Sequence, residues 1–377
     1  MPDRSLKILS VFGTRPEAVK MAPVVKRLRQ TEGVESSVCV TAQHRQMLDQ
    51  VLDLFDIQPD FDLDIMRPDQ TLSESMAAML TRLEPVLESS QPDWVLVQGD
   101  TSTVVAAGLL AYYHRLRVGH IEAGLRTGDK WQPFPEEINR KIAGVVADLH
   151  FAPTQQARLN LLQEGRSEDD IVVTGNPVID ALNYILTLDY DLYQGPLHGI
   201  DPTRRIALVT AHRRENFGRP LQHIFTALRR LAERYADQVE FIYPVHMNPN
   251  VYGPAHEHLS GLYNLHLLEP LDYLPMAHLM RKADLILTDS GGLQEEGPAV
   301  GTPVLVMRAV TERPEAVEAG VARLVGTDVN TIVEQASRLL DDPAAHAEMA
   351  QAANPFGDGH AAERIVKAIL DRSREAE

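Results

Sequence analysis

The 377-residue chain holds a single cysteine, Cys39, so it cannot close an internal disulfide. Its place in the apolar run SVCV reads as a buried structural thiol. Long hydrophobic runs are missing too: none approaches the roughly 20 residues of a membrane span. The N-terminal MPDRSLKILSVFGTRPE breaks at Gly13 and reads as a first strand, not a secretory signal. No membrane association and a cytoplasmic location are therefore expected. Positive charge is scarce, with 36 Lys and Arg against 53 Asp and Glu and a net charge of −17. That balance argues against nucleic acid or an anionic membrane as the main partner, and any anionic small ligand must meet a local cluster of Arg, Lys or His. No G-x-G-x-x-G follows the first strand, since the Gly-x-Gly at Gly357–Gly359 falls late in the chain, so a nicotinamide cofactor is not expected. A P-loop and a G-x-S-x-G elbow are also absent. None of the 14 histidines stands at convincing metal-ligand spacing, and no metal or other cofactor is expected.

What is present is an alternation of short apolar runs with helical periodicity. Strands are predicted at 6–12, 37–40, 94–98, 118–122, 149–152 and 171–173, with helical patterns at 23–28, 47–55, 72–87 and 104–113 between them. After an irregular, turn-rich stretch at 187–205 the pattern resumes, with strands at 206–210, 241–245, 265–268, 285–288, 304–307 and 324–325. Helices are predicted at 221–235, 276–282, 332–340 and 361–372. Such repetition implies βαβ units and two doubly wound parallel sheets. Ligands of these sheets bind beyond the carboxyl ends of the strands, so a central cleft faced by both halves is the expected site.

Several strand ends carry chemistry. VFGTRPEAVK sets Arg15 and Lys20 by a helix start, where a phosphate or carboxylate could dock. QGDTST offers Asp100, which by itself reads as a helix cap. GHIEAG places Glu122 at the end of a strand that should be buried on both faces, a costly position for an unassigned acid. PFPEEINR spaces Glu136 and Arg140 for an i,i+4 ion pair. Three acid-bearing elements at successive strand ends shift the balance towards a carboxylate-rich site. In the second half, VTAHRRENFG presents His212 with Arg213, and LTDSGGLQEEGP joins a Ser290-Gly291-Gly292 turn to a helix bearing Glu296. RPEAV occurs at 15–19 and again at 313–317, leaving an arginine, Arg15 or Arg313, at a helix entrance in each half.

Together, VFGTRPEAVKMAPVV, GDTSTVVAA, GHIEAGLRTGD, PFPEEINR, VTAHRRENFG, YPVHMNPNV, ILTDSGGLQEEGPAVGTPVLVMR and TERPEAVEAG resemble the bacterial non-hydrolysing UDP-N-acetylglucosamine 2-epimerases, in the family's order and over most of the chain. The resemblance implies an α/β fold of the B-type glycosyltransferase kind, with two Rossmann-like domains at 1–174 plus 357–377 and at 175–356. It also implies reversible interconversion of UDP-N-acetylglucosamine and UDP-N-acetylmannosamine, and a homodimer. Asp100, Glu122 and Glu136 match the family's catalytic carboxylates, supported by Arg140 and His212. Arg15, Lys20, His212, Ser290, Gly291, Gly292, Glu296 and Arg313 match its UDP-sugar contacts. Gln98, Leu271 and Met276 stand at contact positions where other residues are common. Gln43, Gln46, Arg213 and His246 match a regulatory pocket of some members, whereas Asp69 replaces an arginine there, which leaves allosteric activation open. A hydrolysing 2-epimerase, a glycosyltransferase and a non-catalytic UDP-sugar sensor are the alternatives.

Overall fold

The computed structural model describes residues 4–41, 45–67 and 70–375, with the side chains of 45–47 excepted. It divides into two compact units, Met1–Ala181 with Phe356–Glu377, and Leu182–Pro355. The first division thus falls seven residues beyond the expected 174, within the helix Pro177–Ile185, which the sequence periodicity did not reveal.

The first unit is a seven-stranded parallel sheet of β1 (Leu6–Phe12), β2 (Val34–Val40), β3 (Phe61–Asp62), β4 (Trp94–Gln98), β5 (Arg117–Ile121), β6 (Leu149–Ala152) and β7 (Ile171–Val173). Their order in space is β3-β2-β1-β4-β5-β6-β7. The central strands are mostly apolar because helices cover both faces; β4 is buried at all five positions. Two-residue β3 was not expected, being too short for any periodicity to register. Cys39 lies in β2, fully buried, and burial together with the nearby Asp62 pushes its thiol up to about 12, as befits an inert packing residue. The C-terminal helix Ala361–Arg374 belongs to this unit: Asp180 accepts from the amides of Ala361 and Ala362 at its start, and Trp94 Nε1 donates to Ser373 Oγ near its end.

The second unit repeats the design with six parallel strands: β8 (Arg205–Thr210), β9 (Val239–Pro244), β10 (Leu265–Leu268), β11 (Leu285–Thr288), β12 (Val304–Val306) and β13 (Ala322–Leu324). Their order is β10-β9-β8-β11-β12-β13. Its core packs Phe225, Leu228 and Leu231 of the helix Arg219–Arg234 against Phe241 and Tyr243 of β9. Each sheet reverses its strand order once, between β1 and β4 and between β8 and β11. Those reversals part the crossover helices and open a crevice at the strand ends. Both RPEAV stretches do start helices, Arg15–Arg29 and Pro314–Glu318, but only the first carries a full capping box, from Thr14 and Glu17. No described helix is long and apolar enough to cross a membrane.

Candidate functional site

In the first unit the acids gather where β1, β4 and β5 end. Glu122 is not part of β5 as expected: the strand stops at Ile121, and Glu122 follows with φ +63, a left-handed conformation unusual for a residue with a side chain. The tight turn is what lifts its carboxylate off the sheet edge. Lys20 Nζ lies 2.5 Å from Glu122 Oε2, and Gln98 Nε2 donates to the same oxygen. Lys20 is thus turned towards a carboxylate, one of the two partners its position suggested.

Asp100 does not cap the following helix. Thr101 takes the N-cap position of Ser102–Tyr113, and the Asp100 carboxylate instead receives Arg140 Nε at 2.8 Å and Nη2 at 2.7 Å. Asn139 Nδ2 donates to the Asp100 carbonyl at 2.8 Å, so the helix Glu136–Val146 holds this residue twice. The expected Glu136–Arg140 pair does not form. Arg140 reaches Asp100 and, at 3.1 Å, the fully buried Glu137, which is itself fixed by the amides of Thr127 and Gly128. Glu136 is left with a buried Oε2 that has no hydrogen-bond partner among the described residues. A buried carboxylate oxygen without a donor is costly, which sets Glu136 apart from the satisfied acids around it. Arg15 opens its helix half-buried, and no ion pair to it is found among the described residues. Glu17 serves the turn, accepting from the amides of Gly13 and Thr14 and from Thr101 Oγ1, while burial raises its pKa.

Beneath these acids two histidines, His120 on β5 and His150 on β6, face each other in register and are each 1% exposed. Burial pushes His120 down to about 4 and His150 down to about 3. Unfolded, both rings titrate near 6.5. As the pH falls below that value the unfolded chain takes up protons that the folded chain refuses. Stability is therefore complete above about pH 6.5 and declines towards pH 4, by on the order of 1 kcal/mol per pH unit for each ring. Urea midpoints across that range measure this, and replacing either histidine by an uncharged residue should flatten the slope.

In the second unit the organiser is Asp289, wholly buried just past β11. Its carboxylate accepts from the amides of His212 (2.8 and 3.0 Å) and Arg213 (2.9 Å) and from Asn216 Nδ2 (3.0 Å), which fixes the loop after β8. His212 stacks on His246, an exposed residue, at 5.4 Å between centroids. Burial lowers the His212 pKa against the opposing pull of Asp289. Across the Ser290–Gly292 turn, a Cβ on Gly291 would stand 3.3 Å from Arg213 Nη2 and 4.0 Å from Arg313 Nη2, so both guanidinium groups flank this backbone. The Ser290 amide is not available to a ligand as expected, because it donates to Thr288 Oγ1 at 2.9 Å. Those of Gly291 and Gly292 have no such backbone or side-chain acceptor among the described residues.

Glu295, without an assignment in the sequence, pairs with Arg313 Nε and aims the guanidinium. Glu296 accepts from Tyr273 OH at 2.8 Å. Met276 is half-buried in the same helix as Tyr273, Tyr273–Lys282, and Leu271 is half-buried just before it. Of the regulatory positions, Arg213 and His246 lie in this unit, whereas Gln43, the Gln46 side chain and Asp69 lie outside the described residues. Gln98, Glu137, Asp289, Glu295 and Tyr273 were not singled out from sequence as supports. Burial of polar and charged groups is the signal that exposes them, and only the fold supplies it. Among the described residues no group of three or more His, Cys, Asp or Glu side chains could hold a metal ion.

The family model described as UDP-N-acetylglucosamine 2-epimerase matches residues 26–370. A UDP-N-acetylglucosamine 2-epimerase of Yersinia pestis is 53% identical over 370 residues, spanning 97% of this chain and 98% of its own length. The UDP-GlcNAc 2-epimerase of Neisseria meningitidis, in a crystal structure bound to UDP-GlcNAc, superposes with a TM-score of 0.90 at 47% identity, over 97% of this chain and all of that one. The Methanocaldococcus jannaschii UDP-GlcNAc 2-epimerase, in complex with UDP-GlcNAc and UDP, does so at 0.82 and 32% identity, with 97% and 100% covered.

Proposed function

This chain belongs to the UDP-N-acetylglucosamine 2-epimerase family, with two Rossmann-like domains of the B-type glycosyltransferase fold, and we propose that it interconverts UDP-N-acetylglucosamine and UDP-N-acetylmannosamine without net hydrolysis. The observation that carries this reading is the pair Asp100 and Glu122. They sit just past the ends of neighbouring strands, each partnered by its own cation, Arg140 or Lys20.

The hydrogen at C2 of the sugar has no adjacent carbonyl and is barely acidic. Inversion there needs either transient oxidation or departure of the anomeric diphosphate. Departure fits a chain without a dinucleotide fingerprint. The C1–O bond breaks, its electron pair leaving with UDP, and the oxocarbenium-like centre acidifies C2–H. A carboxylate takes that proton to give 2-acetamidoglucal. Proton delivery to the opposite face of C2, with return of the UDP oxygen to C1, completes inversion. Two faces need two proton-handling groups and a nearby charge to stabilise the cation. Asp100 and Glu136 are assigned to the proton transfers and Glu122 to the cation or to a second acid–base role. In the second unit His212, Arg313 and the Gly291 and Gly292 amides are assigned to the leaving diphosphate and Glu296 to the ribose hydroxyls; in the first, Arg15 is assigned to the UDP-sugar. The product would supply N-acetylmannosamine for cell-surface polysaccharide, and the active species would be a homodimer.

Proton NMR of UDP-N-acetylglucosamine with the enzyme in D2O tests the route. Solvent deuterium is expected at C2 of both epimers, with free UDP remaining a trace species. Products without deuterium would eliminate the glycal route. Accumulating UDP and free N-acetylmannosamine would indicate hydrolysis, and binding without turnover would indicate a sensor.

A further inference from the structure

The two strand ends that carry Asp100 and Glu122 are tied to each other in both directions. From β4, Gln98 donates to the Glu122 carboxylate. From β5, His120 Nε2 lies 2.7 Å from the carbonyl oxygen of Gly99, the residue before Asp100. Between these side-chain links the Gly99 amide donates to Ile121 O at 2.9 Å. Gln98 pairs with Ile121 and His120 with Val97, so the exchange occupies the last two rungs of the β4–β5 ladder and the two residues beyond them. Gln98 is 2% exposed and His120 1%, so neither link competes with water.

The chemistry of each link is fixed by its partner. A carbonyl oxygen only accepts, so His120 must carry its proton on Nε2. Burial holds the ring neutral, with the charges of Asp100, Glu122 and Arg126 and the neighbouring His150 as the titratable surroundings. Nδ1 is left without a partner among the described residues, so the polar contact of the ring is made through its other nitrogen. Glu122 meets Lys20 from the first helix and Gln98 from β4. The backbone is unusual on both sides, with Gly99 at φ +80 and Glu122 at φ +63. A non-glycine residue persists in that region only where its surroundings over-determine it.

We infer that Gln98 and His120 are positioning residues forming a reciprocal cross-strand clamp, Gln98 aiming the Glu122 carboxylate and His120 fixing the turn that presents Asp100. The inference rests on the epimerase reading of those two acids. Its consequence is a constant spacing between them, because movement of either strand end breaks a link from the other.

The test is steady-state epimerisation by the full chain for Gln98→Met, His120→Leu and His120→Gln, with UDP affinity measured in parallel. Methionine and leucine cannot donate, whereas glutamine can place its Nε2 near the position of the imidazole nitrogen. Gln98→Met and His120→Leu should each lose about 10²-fold in kcat, the scale of a misplaced reacting group, with KM and UDP affinity within about 3-fold. His120→Gln should recover most of the loss. Unchanged kcat in the first two variants, or a loss confined to KM, would overturn the clamp.

Ring 15N NMR of wild-type His120 judges the geometry without relying on turnover or on the folding of a variant. A neutral Nε2–H tautomer from about pH 8 down to about pH 5 is expected, where a free imidazole would protonate near 6.5. The Nδ1–H form, or ordinary protonation, would defeat the proposal. A wild-type chain that shows the expected tautomer but does not epimerise would instead remove the functional reading and leave the clamp standing.

Discussion

Glu122→Gln is expected to lower kcat by about 10³-fold, within the range that one positioned acid–base group contributes. The substitution keeps the shape of the side chain but removes its charge. The Lys20 ammonium, at 2.5 Å in the wild type, then faces a neutral amide, and the one oxygen it already shares with Gln98 no longer carries charge. UDP affinity should change little, because the residues assigned to the diphosphate are elsewhere in the chain. Steady-state kinetics, UDP titration and circular dichroism of the same preparation separate these effects. Turnover within a few-fold of wild type in a folded variant would exclude Glu122 from the chemistry.

Asp289→Ala should have the largest effect in the second unit, on stability and on nucleotide binding together. Its buried carboxylate accepts from two amides and one side-chain amide in the loop following β8. Deleting it leaves those donors unpaired in the interior, at about 1–3 kcal/mol for each group that finds no water. A net loss of about 3–5 kcal/mol is expected, measurable as a lower urea midpoint. The same loop carries His212 and Arg213, so UDP affinity should fall by about 10²-fold, equivalent to about 3 kcal/mol. Asp289→Asn keeps one acceptor oxygen and should lie between. Wild-type UDP affinity in Asp289→Ala would show either that the loop holds its form unaided or that His212 is not a nucleotide contact.

Neither Asp289 nor Glu295 was assigned a role from sequence, although both stand within the stretch LTDSGGLQEEGP. An Asp after a strand and a Glu in a helix's first turn read as ordinary local solutions, a cap and a dipole partner. Burial gives them another meaning. Asp289 anchors one loop and Glu295 aims Arg313, each acting on residues far away in sequence. The spacing of Glu136 and Arg140 misled for a similar reason. The i,i+4 pairing is a rule for solvated helix faces, and Arg140 is 7% exposed, with Asp100 of another element competing for it.

The sequence by itself determined the alternation of strands and helices, the two doubly wound halves, and most of the acids and cations placed at strand ends. Those features follow from local periodicity and from glycine, proline and charge at fixed offsets, which short windows of chain record. Tertiary structure alone decided which cation meets which acid. Lys20 and Glu122 are 102 residues apart, Gln98 and Glu122 24, and His212 and Asp289 77. Pairings at such separations depend on strand order and register, set by the packing of whole sheets. Tertiary structure also moved Glu122 off the end of β5 into a left-handed turn, a conformation that neighbouring side chains hold in place.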